Sequence, residues 1–462
     1  MERQEYSEYT RVCVKDALGL DDKKVELHCR VVGVRPSGEF WIVLLKDASG
    51  MITAVSREHV EEGRFVFVRG RVYRRRDSAQ IGVDSFEYTD EKVVEKNAVV
   101  KKVDFLYTEM EIMREDVERM AGHLIKVGNS GKKIVVKYDC DADGLSGALI
   151  IYRMFKCLGV EGCTFAPADS PVYRVEDGLR DSMHYGHDTH YIFLDFGNNN
   201  ESREGLEILR MNSESIAIID HHLSERKRGS ELVVTPVWHG LGYEYTTGLL
   251  CYEIARRVCD CDYGNMWKAS LYCDKSTLEY EHSNEIEEIG LVLDYIATTA
   301  RKERHSISFT NELMDNKEML HEIYISASNR IEDALNAAVK IAKTKELGNG
   351  ITVVLVNVDK VAEKGSFPNK GKVTGKVHDT FVGIKAGPVV TIGYGTDSAM
   401  LRANRMTLEK GFNANSIIQE IKGMYEGYII SGGGHPGAAA IRFRKGFKKA
   451  VLNALLEKIC SV

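Results

Sequence analysis

Six carboxylates and two histidines stand where a metal could recruit them. In Asp139-Cys-Asp-Ala-Asp-Gly144, three carboxylates fall at alternate positions. The stretch follows the apolar run Ile134-Val135-Val136, which reads as a buried strand, and precedes Leu145–Ile150, which reads as the start of a helix. Like charges held that close repel one another unless protons or cations neutralise them. The economical reading is a divalent metal site at the carboxyl end of a parallel strand, where open α/β sheets place their ligands. The plainer alternative is a polar loop with an ordinary helix N-cap. Asp195 follows the strand-like run Tyr191–Leu194, and Asp220-His221-His222 follows Ile216–Ile219. Asp294 ends the apolar stretch Ile289-Gly-Leu-Val-Leu in a helical context. Taken singly, each aspartate also reads as a cap or turn residue. Taken together, carboxylates with one or two histidines suit two hard-to-borderline ions, Mn²⁺ or Mg²⁺, better than a thiolate zinc site. Two such ions can activate water and stabilise both oxygens of a phosphoester displacement.

The elements that must carry these residues alternate. From Lys133 to about Arg304, apolar runs at 134–136, 191–194 and 216–219 read as parallel strands, with helical patterns at 147–158, 204–211, 246–258 and 286–300. This is the signature of a mostly parallel sheet built from βαβ units. The stretch 260–285 has no clear period and reads as a loop or insertion. A long helical pattern over 323–345, stopped by Gly348-Asn-Gly350, reads as a connector. Strands resume at Ile351, and a second, smaller α/β unit follows. Upstream, five short strand patterns between Val25 and about Tyr88 predict a small closed barrel of the oligonucleotide/oligosaccharide-binding (OB) type. The expected division is a barrel over 1–95, a parallel-sheet unit over 100–304, a helical connector over 305–349 and a smaller α/β unit over 350–462.

On the barrel, Phe40, Trp41, Phe65 and Phe67 include candidates for base stacking, and Phe65 and Phe67 must share one strand face. Any single aromatic reads more readily as barrel filling. Arg71, Arg74, Arg75 and Arg76 read either as phosphate-tracking cations or as a solvated hairpin tip. His184, His187 and His190 are spaced by three in a loop-like segment, and a surface or substrate-facing role is preferred to a separate metal there.

The net charge of −6 over 462 residues excludes a globally basic nucleic-acid binder, so any such binding must use a local patch. Ten scattered cysteines read as free thiols in a reducing compartment. The N-terminus MERQEYSEYT lacks an apolar signal core, and no apolar run reaches ~18 residues. The expectation is a cytoplasmic protein with no membrane partner.

Asp220-His221-His222 after a strand, with Asp139/Asp141/Asp143 and Asp195 before it, resembles the DHH phosphoesterase superfamily. Ser431-Gly-Gly-Gly-His-Pro-Gly-Ala-Ala-Ala440 resembles the GGGH signature of that superfamily's associated C-terminal domain. With the barrel, the pattern looks most like the RecJ-like exonucleases of the archaeal type. The resemblance implies that Asp139, Asp141, Asp143, Asp195, His221 and Asp294 are metal ligands, with Asp195 bridging two ions. Asp220 and His222 would orient ligands or contact phosphate. Arg402, Gly432, Gly433, Gly434 and His435 would bind the phosphate of the strand being cut. The chain departs from the family pattern at Thr235-Pro236, at Asn198-Asn199-Asn200 and at Ala440, none of which removes a ligand. The expected activity is metal-dependent release of mononucleotides from single-stranded DNA or RNA, in a replication or repair setting. The alternatives are a phosphodiesterase for short oligonucleotides or cyclic dinucleotides, and a scaffold that binds replication-complex proteins.

Overall fold

The computed structural model describes residues 9–47, 49–75, 78–89, 99–160, 162–224, 231–303, 306–363 and 365–462. Arg76, the side chain of Arg75 and residues 91–98 of the expected linker lie outside the described residues.

Strands β1 (Lys24–Ser37), β2 (Phe40–Asp47), β3 (Gly50–Ser56), β4 (Phe65–Arg75) and β5 (Ser78–Thr89) close into the expected barrel, because β1 pairs with both β2 and β4. Alternation decides what fills it. Val25, Leu27, Cys29, Val31, Val66 and Val68 point inward and are fully buried. Phe65 and Phe67 do share a face, but it is the outer one. There Phe67 stacks on His28 at 4.3 Å with Arg11 above the ring, and Arg30 lies over Phe65. Trp41 is half-buried against the barrel core, edge-on to His59. Phe40 is exposed beneath Arg57. Arg71 pairs with Asp22, and Arg74 is exposed on β4.

The next unit is built on α1 (Arg114–Gly128), β6 (Lys133–Tyr138), α2 (Ala142–Cys157), β7 (Thr164–Pro167), α3 (Val175–Tyr185), β8 (Thr189–Leu194), α4 (Arg203–Arg210), β9 (Ser215–Ile219) and β10 (Leu232–Val234). The sheet order is β10-β9-β8-β6-β7, all parallel. Both faces are covered, which is why these strands read as continuous apolar runs. Ile134, Val136, Ile192, Leu194, Ala217 and Ile219 join one core with α1 and α2, whereas Val135, Tyr191, Phe193, Ile216 and Ile218 join the other with α4. Lys137 is buried on that second side, where it is paired with Asp181, which also accepts from the Tyr173 hydroxyl at 2.9 Å. Helices α5 (Thr247–Val258), α6 (Met266–Cys273) and α7 (Asn284–Glu303) complete the first core. The stretch expected to be a loop therefore contains a helix.

After α8 (Ile307–Met314), α9 (Lys317–Ile341) serves as the connector. It begins and ends earlier than its sequence pattern predicts, because Lys343–Glu346 forms β11 instead. Its Leu320 belongs to the core of the first α/β unit, and its Ala334 and Ala338 belong to a core of the second. The second unit contains β12 (Thr352–Asn357), α10 (Lys370–Ile384), β13 (Val389–Tyr394), β14 (Ser398–Ala403), α11 (Ala414–Met424), β15 (Ile429–His435), β16 (Ala438–Phe443) and α12 (Lys448–Cys460). Its sheet order is β11-β12-β13-β14-β16-β15.

Arg30, Lys46 and Phe65 of the barrel face Gly128–Lys132, Ile134 and Val160 across a cavity of about 290 Å³. These last residues lie at the amino-terminal edge of the parallel sheet. Among the described residues, no helix is long and apolar enough to cross a membrane.

Candidate metal centre

The parallel register builds the site. Tyr138 pairs with Leu194, Leu194 with Ile219 and Ile219 with Val234. The residue after each strand end therefore falls in one row, Asp139, Asp195, Asp220 and Thr235. Backbone bonds hold the row: Asp139 N–H to Leu194 O at 3.1 Å, Asp195 N–H to Ile219 O at 2.9 Å and Asp220 N–H to Val234 O at 3.1 Å. Adjacent strands lie ~4.8 Å apart, so the carboxylates converge. The chain reverses between β6 and β8, a switch point where open sheets carry their ligands.

Helix α2 starts earlier than its pattern predicts, and this places two more carboxylates. Asp141 is its N-cap and accepts from Gly144 N–H at 2.9 Å. Gly144 is required there, since a Cβ would lie 2.5 Å from Asp139 O. Asp143, in the first turn of α2, aims at the N-terminus of α5. It accepts from Thr247 N–H at 2.8 Å, Gly248 N–H at 2.7 Å and the Ser270 hydroxyl at 2.6 Å. Asp195 takes a left-handed backbone, φ 67°, and accepts from the Thr247 hydroxyl at 3.0 Å.

Among the described residues, three groups bring ligand atoms within 4.8 Å of one another: Asp195 with His221 and His222; Asp143 with His221 and Asp274; and Asp139 with Asp141 and Asp195. Asp195 and His221 are shared between groups. The decisive atom is His221 Nε2. His221 Nδ1–H donates to Tyr243 O at 2.6 Å, which leaves the Nε2 lone pair free. Nε2 is buried without a hydrogen-bond partner among the described residues, 3.5 Å from Asp143 Oδ2, 3.4 Å from Asp195 Oδ1 and 3.3 Å from Asp274 Oδ2. A lone pair facing carboxylate oxygens has no donor to satisfy it, and a cation resolves the conflict. The donor set of oxygens and imidazole fits Mn²⁺ or Mg²⁺.

The titration behaviour agrees. Burial and then the Asp143 charge push Asp141 up to about 6. Burial followed by Asp143, Asp141, Asp274 and Asp220 holds Asp195 well above the ordinary carboxylate value. Burial and then the His222 charge drive His221 down to about 3. Asp220 behaves oppositely. Burial opposes its charge, but His222 more than compensates and its pKa is lowered. Asp220 Oδ1 accepts from His222 Nδ1–H at 2.9 Å and His222 N–H at 3.0 Å, and Oδ2 accepts from Asn198 N–H at 3.2 Å. Burial likewise opposes protonation of His222, yet Asp220 raises it to about 10. Asp220 thus orients His222.

Asp294 stands apart from the other expected ligands. It lies in the interior of α7 and is ion-paired with Lys372 of α10, so its carboxylate enters none of the three groups. Asp274, just past the end of α6, is the aspartate that joins Asp143 and His221 instead. Its signal was present in Leu271-Tyr-Cys-Asp274, another apolar run ending in aspartate, but the weak helical period of 266–273 concealed it.

The expected glycine-rich loop is an edge strand. Gly432, Gly433 and Gly434 lie in β15, paired with Ile441, Ala440 and Ala439 of β16. A Cβ at Gly432 would lie 2.8 Å from the Ile418 side chain, and one at Gly434 2.4 Å from Ala438 O. His435, at the end of β15, reaches the metal centre. Its ring stacks on Tyr243 at 4.2 Å and runs parallel to His222 at 5.8 Å. Burial and then the charges of His222, His221 and Arg402 depress it to about 3. Arg402, half-buried on β14, is thereby placed on the same side. Of the spaced histidines, His190 bonds Ser215, while His184 packs on Tyr185, which closes α3.

Residues 133–279 match the family model for the DHH family, N-terminal domain, and residues 357–462 match that for the DHHA1 domain. An uncharacterized protein of Methanocaldococcus jannaschii is 24% identical over 88% of this chain, and the chain spans 62% of that protein's length. A DHH domain described as belonging to a member of the S1p family of ribosomal proteins superposes with a TM-score of 0.69 at 23% identity, covering 80% of this chain and 96% of the other. RecJ from Thermus thermophilus in complex with Mn²⁺ superposes with a TM-score of 0.50 at 16% identity, covering 75% and 55% respectively.

Proposed function

The chain belongs to the DHH phosphoesterase superfamily and shares its fold with RecJ, and from that premise we propose that it is a metal-dependent exonuclease that hydrolyses single-stranded DNA or RNA to mononucleotides. The observation that carries this reading is the unpartnered His221 Nε2 beside the buried carboxylates of Asp143 and Asp195. In this reading Asp139, Asp141, Asp143, Asp195, His221 and Asp274 hold two divalent ions, with Asp195 and His221 at the centre. When bound, the ions supply Lewis-acid polarisation of the phosphoryl group and activation of a water. The residues of the chain do the rest. Tyr243 O and Asp220 fix the imidazoles, as partners of ligands do elsewhere. His222, held protonated by Asp220, presents a positive charge at the rim of the site and suits a phosphate oxygen. Arg402, His435 and the Gly432–Gly434 edge face the same cleft from the second α/β unit.

A polymeric substrate is supported by the outer face of the barrel, where Phe67, His28, Phe65, Arg11 and Arg30 combine rings with cations. Such faces bind single strands by stacking and charge. Arg74, exposed on β4, is a further cation proposed for that contact.

The test is digestion of end-labelled single-stranded DNA and RNA of several lengths with Mn²⁺ and with a chelator. Mononucleotides released from long strands, and lost on chelation, are expected. Cleavage confined to dinucleotides would replace this reading with the short-oligonucleotide phosphodiesterase. Absence of any cleavage by a metal-loaded protein would favour a scaffold that binds replication-complex proteins.

A further inference from the structure

Tyr243 lies in the loop before α5 and belongs neither to the ligand set nor to the glycine hairpin. Two contacts of different kinds meet at it. Its carbonyl oxygen accepts the Nδ1–H of His221 at 2.6 Å. Its ring, 40% exposed, stacks on the His435 imidazole with centroids 4.2 Å apart and planes 25° apart. His435 comes from the β15–β16 hairpin of the second α/β unit, whereas Tyr243 and His222 belong to the first. The His435 ring is parallel to His222 within 8° at 5.8 Å. A ring carried by one unit is therefore set against two rings of the other, directly over the metal centre. His435 Nδ1 is buried without a hydrogen-bond partner among the described residues, so ring contacts rather than a hydrogen bond at that nitrogen set its orientation.

We propose that Tyr243 is a positioning residue. Its ring is the post on which the hairpin docks and aims His435 at the substrate, and its peptide oxygen fixes the His221 tautomer from the same place. Docking of the second unit and readiness of the metal ligand are thus two readings of one loop. This inference rests on the proposed phosphodiesterase activity and deepens it. Stacking with planes 25° apart is an arrangement open to aromatic pairs. Because the bond to His221 comes from the backbone, a side-chain change at 243 separates the two functions.

The experiment uses the full-length protein with Tyr243→Phe and Tyr243→Leu, each alone and combined with His435→Ala. Tyr243→Leu is expected to lower kcat/KM on end-labelled single-stranded DNA with Mn²⁺ by about 10- to 100-fold, mainly through KM because His435 contacts the substrate phosphate in this reading. Tyr243→Phe restores it. The Mn²⁺-induced rise in Tm stays at the wild-type value in both single variants. With His435→Ala already present, Tyr243→Leu adds nothing. Hydrogen exchange of residues 429–443, read on the metal-free protein without any reaction, is faster in Tyr243→Leu and unchanged in Tyr243→Phe. Unaltered exchange in Tyr243→Leu, a loss that adds to that of His435→Ala, or loss of the Mn²⁺ shift would each overturn the proposal. A wild-type protein that cleaves no phosphodiester defeats the functional reading instead, and the exchange measurement still decides the docking.

Discussion

Replacing Asp195 by Asn separates the metal from the fold. The left-handed backbone at 195, φ 67°, suits Asn. The amide oxygen keeps the bond from the Thr247 hydroxyl. What changes is one buried charge. Asp195 has ligand oxygens of Asp139 and Asp141 within 4.8 Å, and at that distance a like-charge pair costs about 3.5 kcal/mol at an effective dielectric of about 20. Without an ion, burial and then the charges of Asp143 and Asp141 raise the folded pKa of Asp195. A carboxyl whose folded pKa lies above its unfolded value destabilises the fold as pH rises through the interval between them, by about 1.36 kcal/mol per unit. In chelator, the wild type should therefore gain stability on acidification from neutrality toward about pH 4, and Asp195→Asn should flatten part of that slope. At pH 7 in chelator the variant should be the more stable of the two. With Mn²⁺ at about 100 times its Kd, the wild type gains about 2.7 kcal/mol and the variant gains almost none. Thermal unfolding of both proteins, with chelator and with Mn²⁺, reads all of this. A variant less stable than wild type in chelator that still keeps the full Mn²⁺ shift would refute the reasoning.

Asp274→Asn and Asp294→Asn should diverge in isothermal titration with Mn²⁺. The first should weaken binding by at least about 10-fold, while the second should leave it near wild type and cost roughly 1–3 kcal/mol in urea unfolding by stranding Lys372. Asp220→Asn removes the carboxylate that raises His222. Imidazole NMR of the metal-free protein should then show the His222 titration falling from the alkaline range, and an unmoved titration would exclude the pair. Phe67→Ala should weaken oligonucleotide binding by about 1–3 kcal/mol in fluorescence anisotropy, with the Mn²⁺ shift intact.

The candidate site was legible where an aspartate follows a strand. Asp139, Asp195 and Asp220 each end an apolar run, and a parallel sheet in register turns three such ends into one row. Asp274 comes from the end of a short helix whose burial is set by tertiary packing, and its local pattern is therefore weak. Asp294 stood at a plausible spacing, but Lys372 is nearly 80 residues away in sequence, and only the fold brings the two together. The run Gly432–Gly434 reads locally as a loop, and pairing with β16 overrides that preference. Phe65 and Phe67 announced a shared face, but alternation alone does not say which face is inside. Val66 and Val68, small enough for the barrel interior, decide it.

The barrel meets the sheet at the end remote from the chemistry. β6 runs six residues from the cavity below to the carboxylates above, about 20 Å at 3.3 Å per residue. A nucleic-acid strand held by both must cover at least that distance, about six stacked nucleotides at 3.4 Å each. The molecule is then its own ruler. On the proposed exonuclease reading, a long strand would be gripped twice, whereas a remnant shorter than the span would be gripped once and leave between cuts. The digest should end in a ladder of short survivors whose upper rung measures the distance from barrel to metal.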